Sequence, residues 1–239
     1  MLGVLGGMGP QATADFLAKL AACTEAQRDQ QHLPVVAWSV PQIPDRTSAI
    51  LHGGVSPLGP MLHGVRMLYA LGAKAIAIPC NTAHYWYDDL SVQAGLPILH
   101  IVDAVADQIS SSRPEARRLG LLATEGALRS GIYQNRLPAK FVVIEPDPVS
   151  MVGLRHGIAE VKAGRLDAAR PLFEEAAEAL RRAGTDAILL ACTEIPLAAP
   201  QGNDVFDVTD ALARRCVTFF GKPLAERLSG AAMSPLAVS

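Results

Sequence analysis

Two segments of the 239-residue chain repeat one another, and the repeat limits the folds open to it. Residues 68–82 read Leu-Tyr-Ala-Leu-Gly-Ala-Lys-Ala-Ile-Ala-Ile-Pro-Cys-Asn-Thr; residues 180–194 read Leu-Arg-Arg-Ala-Gly-Thr-Asp-Ala-Ile-Leu-Leu-Ala-Cys-Thr-Glu. In each, a helical pattern ends at a Gly, an apolar strand follows, and a Cys stands eight residues beyond that Gly. A second pair holds the register. Leu2-Gly3-Val4-Leu5 precedes Cys80 much as Leu119-Gly120-Leu121-Leu122 precedes Cys192, with Gly3 and Gly120 lying 77 and 72 residues upstream. Two similar α/β halves are the natural reading; the bland one is that αβ units look alike by chance.

The rest of the chain agrees. Strand candidates are Leu2–Leu5, Val35–Val40, Ala75–Ile78, Ile98–Ile101, Leu119–Ala123, Val142–Ile144 and Ala187–Ala191. Most are continuous apolar runs, as expected for strands covered on both faces. Between them, Leu58, Met61, Leu62, Val65 and Leu68 recur at helical spacing before Gly72; Leu172, Phe173, Ala176, Ala177 and Leu180 do so before Gly184. The expected fold is α/β: two similar subdomains, each a mainly parallel sheet flanked by helices, related by a pseudo-twofold. Residues 1–105 plus 208–228 form the subdomain with Cys80, and residues 106–207 the one with Cys192. Residues 229–239 read as a flexible tail.

Composition removes several classes. Half the residues are hydrophobic and 18% are charged, enough for a sizeable core. Lys and Arg number 21 against 23 Asp and Glu, with no basic run, so nucleic acid and anionic membrane partners lack electrostatic support. No apolar stretch approaches the roughly 18 residues of a membrane span, and MLGVLGGMGP lacks the positive start of a secretory signal. The cysteines at 23, 80, 192 and 216 form no CxxC pair and read as reduced thiols. A cytoplasmic location is expected.

Ligands of parallel α/β folds bind outside the carboxyl ends of the strands, where both repeated cysteines fall. If the halves face one another, two thiols look into one crevice from opposite sides. A thiolate is a competent base, and a helix N-terminus lowers its pKa; Asn81 and Thr82 after Cys80, and Thr193 and Glu194 after Cys192, suit helix starts. One thiolate could take a proton from a tetrahedral carbon while the other thiol returns one to the far face, inverting the centre without a cofactor. A single nucleophilic Cys80 served by His84 is the hydrolase alternative. Plain buried packing is the bland reading, and it is preferred for Cys23 and Cys216, which fall in helical stretches. Gly3-x-x-Gly6-Gly7-x-Gly9-Pro10 fits neither a Walker A loop nor GxGxxG spacing, and is expected to shape the crevice and offer N–H groups. Cys80, His84, Cys192 and Glu194 offer metal-ligand spacing only as a four-residue Cys-to-His step, with no HExxH or paired CxxC, so no metal is expected.

The segments Gly3-Val-Leu-Gly-Gly-Met-Gly-Pro, Ile43-Pro-Asp-Arg-Thr47, Pro79-Cys-Asn-Thr-Ala-His84 and Cys192-Thr-Glu-Ile-Pro196 resemble, in order, signature segments of the aspartate/glutamate racemase family. The similarity runs from residue 1 to about residue 220. The resemblance implies an enzyme with two α/β domains, no cofactor, catalytic Cys80 and Cys192, an amino-acid substrate and a homodimer. It implies that Asn81, Thr82, Thr124 and Thr193 bind the α-carboxylate and ammonium, that Arg46 and Lys162 hold the side-chain carboxylate, and that Met8 also contacts substrate. His84 and Glu194 would support the thiols from behind. Aspartate is the first expected substrate and glutamate the second. Ala191 stands where many relatives carry Gly, a methyl expected to narrow the pocket. Tyr85-Trp86-Tyr87 is expected at the domain seam or a subunit interface. A one-cysteine lyase, isomerase or decarboxylase and a non-catalytic amino-acid-binding protein are the alternatives.

Overall fold

The computed structural model describes residues 1–200 and 202–226. The expected tail 229–239, with residues 227 and 228, lies outside the described residues. Strands β1 (Leu2–Gly6), β2 (Val35–Ser39), β3 (Ala75–Ala77) and β4 (Ile98–Leu99) form a parallel sheet in the order β2-β1-β3-β4. Strands β5 (Arg118–Ala123), β6 (Val142–Ile144), β7 (Ala187–Ala191) and β8 (Val205–Asp207) form a second, ordered β6-β5-β7-β8. The repeated segments carry β3 and β7, which hold equivalent central places in the two sheets.

Two readings of the chain need correction. The run Ile98–Ile101 is not one strand: β4 stops at Leu99, and His100 caps helix α5 (Ile101–Ser112) by accepting from the Val102 N–H at 3.1 Å. Strand β8 is absent from the strand candidates because three residues carry no readable alternation; its pairing with β7 defines it.

The helices cover the sheets as their apolar stripes require. Helices α1 (Pro10–Cys23), α5 and α9 (Val208–Phe219) pack together in a central core that draws on both sheets. Helices α3 (Leu58–Ala70) and α4 (Tyr87–Ala94) bury an outer core with Leu5, Ile76 and Ile78 of the first half. Helices α7 (Pro148–Lys162) and α8 (Leu166–Arg182) do the same over β5 and β7. On α8, Ala169, Phe173, Ala176, Ala177 and Leu180 are buried at helical spacing. No helix among the described residues is long and apolar enough to cross a membrane.

Helix α9 is pinned to α1 by a buried charge. Lys19 is 7% exposed; its ammonium donates to Asp15, lies 2.6 Å from an Asp207 oxygen and donates to Thr209 Oγ1 at 3.0 Å. Asp207 also caps α9, accepting from the N–H groups of Thr209 and Asp210.

At the seam between the halves, Arg136 donates two bonds to Asp103, at 2.6 and 2.7 Å, and lies over the Tyr87 ring. Tyr87 also stacks edge-on to His100. The aromatic cluster thus divides: Tyr87 packs the seam, Trp86 belongs to the first half's core, and Tyr85 is half exposed.

Candidate active site

The carboxyl ends of β1 and β3 meet those of β5 and β7 around one small niche of about 30 Å³. Cys80, Asn81 and Thr82 come from the turn after β3; Cys192, Thr193 and Glu194 follow β7. Met8 arrives from the loop after β1, and Thr124 from the end of β5. Arg46 opens helix α2 (Arg46–His52), and Lys162 ends α7. Of the expected site residues, only His84 stands outside the lining. Asp45 and Thr47 also line it.

Local geometry explains how these pieces approach. Gly7 turns the chain with φ +92°, and a Cβ there would fall 2.3 Å from the Val40 backbone nitrogen. Its N–H is not offered to a ligand, because it donates to Thr13 Oγ1 at 2.9 Å. At the seam, helix α2 meets helix α6 (Glu125–Arg129) so closely that a Cβ on Gly126 would fall 2.7 Å from Thr47 Oγ1. Thr124 caps α6, accepting from the Ala127 N–H, and its hydroxyl lies 3.0 Å from that of Thr82 across the seam.

The two thiols are 5% and 4% exposed, Cys80 and Cys192 respectively. Neither begins a long helix: single 3₁₀ turns follow, Thr82–Trp86 and Ile195–Ala198, and no side chain caps them. The expected lowering of thiol pKa by helix dipoles therefore fails at Cys192, which is pushed well above its ordinary value. Burial is the main cause and the Glu194 charge the next; the Glu194 backbone N–H and Lys162 act in the opposite direction. The Cys192 thiol donates to Glu194 Oε2 at 3.1 Å. At neutral pH this cysteine is a thiol hydrogen-bonded to the Glu194 side chain. Glu194 is itself 7% exposed, and a Cβ on Gly9, just before α1, would fall 3.5 Å from its Oε1.

Asn81 is 2% exposed and polarised by a partner the sequence did not reveal. The Tyr133 hydroxyl donates to Asn81 Oδ1 at 2.6 Å, so the amide Nδ2 turns away, buried and unpartnered. Burial pushes the Tyr133 hydroxyl pKa up, with the Cys192 charge adding to it, so it stays a donor. No signal marks Tyr133 in the sequence, 52 residues from Asn81, because only tertiary contact pairs them.

His84 does not serve the Cys80 sulfur. Its Nδ1 bonds the Cys80 carbonyl at 2.9 Å, and its Nε2 accepts from the Ile101 N–H at 3.3 Å. Burial pushes its pKa down to about 4, leaving a neutral ring that fixes the Cys80 backbone. The Cys–His hydrolase arrangement is therefore not built. Arg46 is committed to backbone: it donates to the carbonyls of Ile43, Pro44 and Met8, while its Nε is buried without a partner. Lys162 is exposed at the rim. Asp45 caps α2, accepting from the Ser48 N–H at 2.7 Å. The Ala191 methyl sits in the central core and does not line the niche, which corrects the expectation that it narrows the pocket.

Comparison with known proteins agrees with this architecture. The structure matches that of Picrophilus torridus aspartate racemase with a TM-score of 0.84 and 32% identity, covering 94% of this chain and 95% of that one. The broad specificity amino-acid racemase RacX of Bacillus subtilis is 31% identical over 143 residues, which are 57% of this chain and 60% of RacX. Glutamate racemase of Deinococcus radiodurans is 29% identical over 192 residues, 77% of this chain and 59% of that protein. The chain thus spans about 60% of the length of these two curated relatives. Residues 5–216 match the family described as Asp/Glu/Hydantoin racemase, and on that span and this fold the chain belongs to it.

Proposed function

We propose that this protein racemises an acidic amino acid, aspartate first and glutamate second, without a cofactor, using Cys80 and Cys192 as the two acid–base groups. The observation that carries this reading is the meeting of two buried thiols, from equivalent strands of two like sheets, at one niche. The names of the similar proteins, spanning aspartate, glutamate and broad specificity, support the substrate class. One thiolate takes the α-proton, and the opposite thiol gives a proton to the other face. Cys192, resting as a thiol, is the donor in one direction; in the other it passes its proton to Glu194 before acting as base. The unpartnered Asn81 amide and the Thr82, Thr124 and Thr193 hydroxyls receive the α-carboxylate and ammonium, with Met8 against them. Lys162 holds the side-chain carboxylate. Arg46 secures the loop that carries Met8 and contributes positive charge. The same reading divides the chain into 1–105 plus 208–228 and 106–207, and expects a homodimer in the cytoplasm.

The test is incubation of reduced protein in D2O with each enantiomer of aspartate and glutamate, followed by NMR of the α-proton and chiral chromatography. Deuterium entering a growing pool of the opposite enantiomer is the expected result. Full retention of the α-proton in all four overturns the reading.

Two variants probe the supporting groups. Glu194→Gln removes the proton acceptor beside Cys192, and activity at neutral pH is expected to fall about 10²-fold. It also removes a charge that raises the Cys192 pKa, so the rising alkaline limb of the pH–rate profile should move to lower pH. A limb that stays in place argues against coupling. Tyr133→Phe leaves Asn81 Oδ1 without its donor and frees the amide to turn. The loss should be about 1–3 kcal/mol, seen mainly as a raised KM. A fall in kcat with unchanged KM would contradict a role in holding substrate.

A further inference from the structure

The niche between the thiols is small, about 30 Å³. Beside it lies a cavity of about 530 Å³, and the two share Asp45, Thr47, Thr124 and Lys162 as common wall. A substrate whose α-carbon sits between Cys80 and Cys192 has this cavity open to its side chain. The reach is far greater than aspartate needs.

The walls indicate what kind of side chain fits. Leu128 of α6 and Met151, Ile158 and Ala159 of α7 give an apolar surface next to the shared wall. Beyond them the lining carries three cations and three carboxylates, and the two sets differ in how they are engaged. Arg129, Arg155 and Lys162 line the cavity, and none forms an ion pair among the described residues. Of the carboxylates there, Asp45 caps α2, Glu145 accepts from Gln134 at 3.0 Å, and Glu125 alone is unengaged. Arg155 and Lys162 are seven residues apart on α7, hence on one helix face and about 10 Å apart along its axis. Arg46, tied to three carbonyls, is poorly placed to set a short limit on side-chain length.

We infer that this cavity is a side-chain subsite for 2-amino dicarboxylic acids longer than glutamate, such as 2-aminoadipate and 2-aminopimelate. The methylene stem lies over Met151 and Ile158, and the distal carboxylate passes Lys162 towards Arg155. The inference rests on the racemase reading and extends its substrate class. Chemistry at the α-carbon is unchanged: one proton leaves to a thiolate and one arrives from the opposite thiol.

The experiment compares α-proton exchange and inversion for aspartate, glutamate, 2-aminoadipate, 2-aminopimelate and norleucine, the last an uncharged stem. It uses the wild type, Ala159→Trp to fill the cavity, and Arg155→Gln, with a thermal midpoint for each. The wild type is expected to turn over the longer diacids about tenfold or more better than norleucine. In Ala159→Trp the ratio of kcat/KM for 2-aminopimelate over aspartate should drop about tenfold or more. Arg155→Gln should lower the same ratio through KM, and it keeps the test informative if the Trp variant fails to fold. Turnover of aspartate with none of the longer diacids overturns the subsite and leaves the racemase reading intact. Norleucine matching the diacids, or ratios that do not move in either folded variant, also overturns it. No exchange with any of the five overturns both.

Discussion

Cys80→Ser and Cys192→Ser are each expected to lower racemisation by about 10²–10⁴-fold, the usual contribution of a positioned acid or base. A serine hydroxyl fills the thiol's place but is a far weaker acid, so it neither supplies a base at neutral pH nor gives up a proton readily. Because two enantiomers have equal free energy, kcat/KM must fall equally in both directions. The two variants are told apart by exchange without inversion. Each keeps one working thiol on one face, which can remove the α-proton of one enantiomer and return a solvent deuteron to the same face. Cys80→Ser should therefore label one enantiomer and Cys192→Ser the other. Labelling of the same enantiomer by both variants, or full racemisation by either, would remove the two-base reading. A one-cysteine lyase or decarboxylase predicts a loss confined to one variant.

Lys19→Met should destabilise the fold by about 3–5 kcal/mol, a large part of the ~5–15 kcal/mol that holds a domain folded. The side chain keeps most of its unbranched length but loses the charge that lies between Asp15 and Asp207. Burial raises the Asp207 pKa, yet Lys19 and the Thr209 hydroxyl outweigh it and hold the group below its ordinary value. Its share of stability is present above the unfolded carboxylate pKa and disappears as pH falls through the lower folded value. Lys19 is raised, since the two carboxylates outweigh burial; its share is present below the unfolded lysine pKa and is lost as pH rises through the folded one. Asp15 has the opposite sign, because burial leaves it above the usual range even beside Lys19. With the ammonium gone, two half-buried carboxylates face each other, so the deficit should shrink as pH falls towards about 4. Urea midpoints of both proteins between pH 7 and pH 5, at unchanged m, measure this. An unchanged midpoint, or a deficit insensitive to pH, would show the cluster to be dispensable.

Much of this protein is legible before any coordinate. The Gly-to-Cys spacing of 68–82 and 180–194 determined that a strand would end at each cysteine, because side-chain period and turn residues are local properties of the chain. The apolar runs determined parallel strands, buried in β1, β3, β4 and β7 but partly exposed in the edge strands β2 and β6, and four spaced segments carried the family resemblance. Short elements were less legible: β8 has three residues, and Ile98–Ile101 changes from strand to cap and helix within one apolar run.

Tertiary structure decided what the site residues do to one another. It buried the Cys192 sulfur and set Glu194 against it, and so raised that thiol, where local reasoning from helix starts expected the reverse. It turned His84 to the Cys80 carbonyl, tied Arg46 to backbone and brought Tyr133 to Asn81. It also opened the large cavity beside the thiols. The physical reason is one of range. Propensity and periodicity act over a few residues and are written in the chain, whereas desolvation, charge and hydrogen bonding depend on which distant segments close together around a group.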